Sequence, residues 1–146
     1  MPAAPIPRVL VVDDVPQVRQ AFGRFLATAG MEPSFAADGV EGLMAARASR
    51  PDLVLCDIEM PRMDGIALCA ALRADAETRR LPIVAVTGSG EEAARAAMAA
   101  GCDAVLPKPC SPALLLATIR DLLGSVEKER AARAATPPPP QPGSPR

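Results

Sequence analysis

Five polar residues stand where short apolar runs stop. Asp13 and Asp14 follow "RVLVV", Asp57 ends "DLVLC", Thr87 ends "PIVAV" and Lys108 closes "AVLP". Two like charges at ~4 Å repel by about 4 kcal/mol at an effective dielectric of 20, and Asp57 adds a third carboxylate. Such a set is tolerable only with a cation among its members or with shifted pKa values. Hard oxygen ligands without His or thiolate select Mg²⁺, Ca²⁺ or Mn²⁺. Mg²⁺ takes a few carboxylates and keeps several waters, which leaves room for a phosphate oxygen. Thr87 offers a hydroxyl donor and Lys108 a mobile positive charge. A carboxylate nucleophile beside such a cation, a lysine and a hydroxyl is suited to phosphoryl transfer. In that chemistry Asp57 attacks in line, while metal and Lys108 neutralise charge on the transferred oxygens.

These residues converge only if the elements bring them together. Apolar runs alternate with helical periodicity along the chain. "RVLVVDD", "MEPSFAAD", "DLVLCD", "LPIVAVTG" and "DAVLPKP" read as strands, the second weakly. A helix opens at Pro16 with the stripe Val18, Phe22, Phe25, Leu26 and Ala29, and Gly30 ends it. The second helix has Asp38 as a candidate N-cap, with Val40, Leu43 and Met44 expected inward. The third carries Ile66, Leu68, Cys69 and Leu72. The fourth, "EEAARAAMAAG", has acids at its start and Gly101 past its end. The fifth opens with Ser111 and Pro112 and continues through Leu115, Ile119, Leu122 and Val126. Strands that are continuous apolar runs are covered on both faces. Strand–helix alternation then predicts an α/β fold, a doubly wound five-stranded parallel sheet with five helices. In such sheets ligands bind beyond the C-terminal strand ends, where all five polar residues lie.

Composition narrows the partners. The chain has 146 residues, 16 basic against 17 acidic, and only three aromatic residues, all Phe. There is no electrostatic case for nucleic acid or an anionic membrane, and no platform for stacking bases. The absence of His removes the commonest metal ligand and general base. Cys56, Cys69, Cys102 and Cys110 match neither a zinc-ribbon nor a C-x-x-C spacing and are expected as free thiols in a reducing compartment. The N-terminus lacks a signal-peptide pattern and no run reaches the ~18 apolar residues of a membrane helix, so a cytoplasmic protein is expected. Residues 1–7 read as an N-terminal extension, 8–126 as one domain, 127–135 as a helical extension and 136–146, "TPPPPQPGSPR", as a disordered tail.

In order and on the right strand ends, "VVDD", "DLVLCDIEMPRMDG", "PIVAVTG" and "AVLPKP" resemble the receiver domain of two-component response regulators, from Arg8 to about Val126. The resemblance implies the flavodoxin-like strand order 2-1-3-4-5 and names Asp57 as phosphoacceptor. It implies Mg²⁺ held by Asp14 and Asp57, by Asp13 partly through water, and by the Glu59 backbone carbonyl. Thr87 would hydrogen-bond the phosphoryl group and Lys108 would pair with it. A cis Lys108–Pro109 bond and steric relief at Gly65 are implied as well. The donor would be a sensor histidine kinase or a histidine phosphotransfer protein, and the output partner another protein, reached by a stand-alone receiver that is able to dephosphorylate itself. One position departs from the pattern: Val105 stands where receivers usually carry Tyr or Phe. That keeps open a degenerate receiver acting as a phosphorylation-independent interaction module. A haloacid-dehalogenase-like phosphatase fits poorly, because Glu59 and Pro61 occupy the places of its Asp and Thr. A flavodoxin-like cofactor binder fits poorly too, because "DDVPQ" repels phosphate in the absence of metal.

Overall fold

The computed structural model describes residues 5–135. Strand and helix alternate as β1 (Arg8–Val12), α1 (Pro16–Thr28), β2 (Glu32–Ala36), α2 (Gly39–Ser49), β3 (Leu53–Asp57), α3 (Gly65–Ala74), β4 (Ile83–Thr87), α4 (Glu91–Ala100), β5 (Ala104–Pro107) and α5 (Pro112–Ala135). All pairings are parallel and the sheet order is β2-β1-β3-β4-β5. The tail expected to be disordered, 136–146, lies outside the described residues.

The continuous apolar strands serve two cores. Leu10, Val12, Val54, Cys56, Ile83 and Ala85 face α2, α3 and α4, where Ala46, Leu68, Leu72 and Ala97 complete the layer. Val9, Val11, Leu53, Leu55, Val84 and Val86 face α1 and α5, where Leu26, Leu115 and Ile119 meet them. Side chains alternate across each strand, so a run apolar at every position buries both faces. A fully buried Leu or Val contributes about 1.5–3 kcal/mol.

Local signals set the helix ends. Asp38 caps α2 by accepting from the Glu41 N–H at 2.9 Å, and Asp64 caps α3 through the Ala67 N–H at 2.8 Å. Gly30, at φ 84°, makes the left-handed turn after α1. The Ser111 hydroxyl accepts from the Leu114 N–H at 3.4 Å. Away from the site, Arg73 of α3 fastens three segments. Its guanidinium donates to the carbonyls of Gly101 (3.0 Å), Arg79 (2.9 Å) and Leu81 (2.6 Å) and to Asp103 (2.9 Å).

The expected inward face of α2 is corrected. Val40 and Met44 are 41% and 65% exposed, while Gly39, Gly42 and Ala46 are buried. The helix lies too close for large side chains: a Cβ on Gly42 would sit 3.0 Å from a Val12 methyl, and one on Gly39 would sit 2.4 Å from the Met63 carbonyl oxygen. Leu43 is half-buried and packs against the core. The fifth helix is one unbroken element to Ala135, with residues 127–132 exposed. Cys56, Cys69 and Cys102 are buried and Cys110 half-buried, all as free thiols.

Candidate functional site

Sheet order converts sequence distance into proximity. Val12 pairs with Cys56, so Asp13 and Asp14 emerge beside Asp57. Asp57 pairs with Val86, which sets Thr87 next along, and Thr87 pairs with Pro107, one residue before Lys108. The five sequence-identified residues therefore share one edge of the sheet. Carboxylate oxygens of Asp13, Asp14 and Asp57 lie within 4.8 Å of one another. Asp13 is 2% exposed, Asp57 5% and Thr87 4%, whereas Asp14 is half-buried.

Each group is held. Asp13 Oδ1 accepts from the Val15 N–H at 2.9 Å, and its backbone carbonyl accepts from Arg19 Nη1 at 2.6 Å. Lys108 Nζ donates to Asp57 Oδ1 at 2.9 Å, and the Glu59 N–H donates to the same oxygen at 3.3 Å. The Lys108–Pro109 bond is cis. Behind Thr87 and Lys108 is an opening of about 320 Å³, lined also by Gly88, Ala94, Val105 and Leu106.

Charge is short on the positive side. Burial pushes the Asp57 carboxyl upward; Lys108 pulls it down, and Asp13 and Glu59 push it up again. Asp13 is raised by burial first, against the Val15 N–H and Lys108, with Asp14 adding to the rise. Burial alone would lower Lys108, but the hydrogen bond and charge of Asp57, then Asp13 and Glu59, raise it. Raised carboxyl groups clustered around a single lysine are hard-oxygen donors lacking a counter-charge. That donor set fits a small divalent cation such as Mg²⁺.

The loop after β3 is fixed in place by contacts that sequence reasoning missed. Arg62, at φ 66°, pairs with the buried Asp38, and the Gly39 N–H donates to the Met63 carbonyl at 3.2 Å. The Glu59 carboxylate accepts the hydroxyl of Thr87. Burial would raise Glu59, but the neighbouring Ser89 and Thr87 hydroxyls outweigh it and bring it down to about 2. The available signal was their place in the chain: Glu59 and Ser89 each lie two residues past the last residue of β3 and β4, two adjacent parallel strands. Gly65 must be glycine for space, since a Cβ there would lie 2.3 Å from the Asp57 carbonyl oxygen.

A doubly wound sheet with acids at the C-terminal end of its middle strands defines a class, and comparison with known proteins identifies the family. The response regulator receiver domain matches residues 9–120. Response regulator MprA of Mycobacterium bovis is 40% identical over 128 residues, covering 87% of this chain and 55% of that protein. The chain thus spans about half the length of the curated relatives it matches. Among solved structures, Vibrio cholerae chemotaxis protein CheY4 is 34% identical with a TM-score of 0.76, covering 81% of this chain and 99% of the other. The receiver domain of sensor histidine kinase PA1611 from Pseudomonas aeruginosa, with a magnesium ion coordinated in its active site cleft, is 28% identical with a TM-score of 0.77, covering 82% and 99%. The chain belongs to the response regulator receiver domain family of two-component signalling. Among the described residues no helix is long and apolar enough to cross a membrane.

Proposed function

We propose that the domain, taken as residues 8–126, is a phosphoacceptor switch that receives a phosphoryl group on Asp57 from a phosphohistidine of a sensor kinase or phosphotransfer protein. One observation carries this reading: Lys108 bonded to Asp57 at 2.9 Å beside two further carboxylates. Lys108 orients one carboxylate oxygen and leaves the other free to attack. That oxygen forms a bond to phosphorus as the P–N bond breaks, and the electron pair leaves with the imidazole, which takes a proton from solvent. Lys108 then balances charge on the transferred oxygens, and the Thr87 hydroxyl is the donor that turns toward them.

Asp13, Asp14 and Asp57, with the Glu59 backbone carbonyl, are the residues that would hold Mg²⁺. When bound, Mg²⁺ supplies a positive charge that screens the carboxylates from an incoming phosphate. The magnesium in the PA1611 receiver supports the same ion here. Signal output is then a change of affinity for a protein partner in the cytoplasm, and hydrolysis of the acyl phosphate resets the domain. Incubation with acetyl phosphate and Mg²⁺ should add one phosphoryl group by intact mass, and Asp57→Asn should abolish it. Labelling of the variant at the wild-type rate would sink the assignment.

A further inference from the structure

One side chain at the site has no part in that reading. Glu59 was expected to serve only through its backbone carbonyl, yet its carboxylate accepts the Thr87 hydroxyl. The Thr87 oxygen in turn accepts from the Ser89 N–H at 3.0 Å. A hydroxyl carries one proton. While Glu59 holds it, Thr87 has none to give to an oxygen on Asp57. Thr87 is buried, so solvent offers little competition for that proton. Glu59 therefore ties the loop after β3 to the loop after β4, and does so through the residue that must turn.

We propose that Glu59 is a positioning residue that latches the β4–α4 loop in the unphosphorylated state, and that a phosphoryl group on Asp57 must take the Thr87 proton from it. The inference rests on the phosphoacceptor reading. The release has a physical driver. A transferred phosphoryl group brings about −2 of charge and strong acceptor oxygens to a place beside the Glu59 carboxylate. It repels the latch and competes for the same donor. The loop is free to follow, because Ser89 lies between Gly88 and Gly90, the latter at φ 84°. Val105 makes the latch more consequential: no aromatic ring fills the opening behind Thr87, so hydrogen bonds from the front set its resting position.

Five proteins test this: wild type, Glu59→Ala, Thr87→Val, the Glu59→Ala/Thr87→Val double variant, and Glu59→Gln as a charge control. Without ligand, methyl NMR couplings should report a single Thr87 χ1 rotamer in wild type and in Glu59→Gln, which keeps an acceptor. Glu59→Ala should show averaging. An unchanged rotamer in Glu59→Ala overturns the latch. With Mg²⁺ and beryllium fluoride as the phosphoryl mimic, Glu59→Ala should tighten binding in both backgrounds through lost charge. The tightening should be about tenfold greater when the Thr87 hydroxyl is present. Equal tightening in both backgrounds overturns the latch and leaves the phosphoacceptor reading standing. If wild type takes no beryllium fluoride, the phosphoacceptor reading falls and the switching role of Glu59 falls with it.

Discussion

Gly65→Ala is the sharpest probe of how the site is positioned. The added Cβ would lie 2.3 Å from the Asp57 carbonyl oxygen, 2.8 Å from Ile58 Cα and 3.0 Å from the Asp57 carbonyl carbon. All three neighbours are backbone, so no side chain can swing away. The end of β3 and the start of α3 must part by about 0.7 Å, an overpacking cost of about 1–3 kcal/mol. Two of the three atoms belong to Asp57, the proposed phosphoacceptor. A misplacement approaching 1 Å costs up to ~100-fold in rate. Urea denaturation should show the loss of stability, and an intact-mass time course with acetyl phosphate should show slower labelling. Gly124→Ala supplies the control, since nothing lies within 4 Å of its Cβ and the residue sits inside α5. That change should stabilise by about 0.5–1 kcal/mol and leave labelling untouched. If Gly65→Ala costs no more than a few tenths of a kcal/mol and labels at the wild-type rate, the packing of α3 against the β3 end does not position Asp57.

Two further expectations concern charge and the scaffold. Asp13 and Asp57 are raised in the fold, so the stability they contribute is full below the unfolded carboxylate value and is lost as pH rises through their raised values. In EDTA the melting temperature of wild type relative to Asp57→Asn should therefore climb as pH falls from 7 toward the carboxylate range, and excess Mg²⁺ should flatten the difference; a relative melting point that falls on acidification would contradict the sign. Arg73→Met keeps the stem but strands four acceptors, three of them main-chain carbonyls; a loss of about 3 kcal/mol in urea is expected, with little rescue by Arg73→Lys, whose single ammonium cannot span them, and a loss below 1 kcal/mol would show the clamp to be idle.

The strands were legible because a residue buried on both faces must be apolar at every position, and "VLVV", "LVLC" and "IVAV" leave little choice. The site followed, because polar residues at the ends of such runs can only crowd the sheet edge. The inward face of α2 was not legible. Periodicity finds large apolar residues, whereas α2 packs through Gly39, Gly42 and Ala46, whose smallness permits close approach and registers weakly as hydrophobicity. The Glu59 carboxylate was missed for a different reason. Its backbone role is fixed by chain position, but where a side chain on a loop points depends on Thr87, adjacent in space at the end of β4 yet nearly thirty residues away in sequence. Arg62 reaching Asp38 belongs to the same kind: a positive-φ loop residue aims a long side chain in a direction no local pattern encodes.

The all-parallel sheet also dictates when the acidic crevice can come into being. No two strands are joined by a hairpin, so every pairing waits on a crossover. Val9 meets Leu53 across the longest loop of the four pairings; the others join Arg8 to Glu32, Val54 to Ile83 and Val84 to Ala104. Contacts of high sequence separation carry the largest closure entropy and slow the search. It is the β1–β3 pairing that brings Asp13 and Asp14 to Asp57. The like charges of Asp13, Asp14 and Asp57 thus meet only when that longest closure is made.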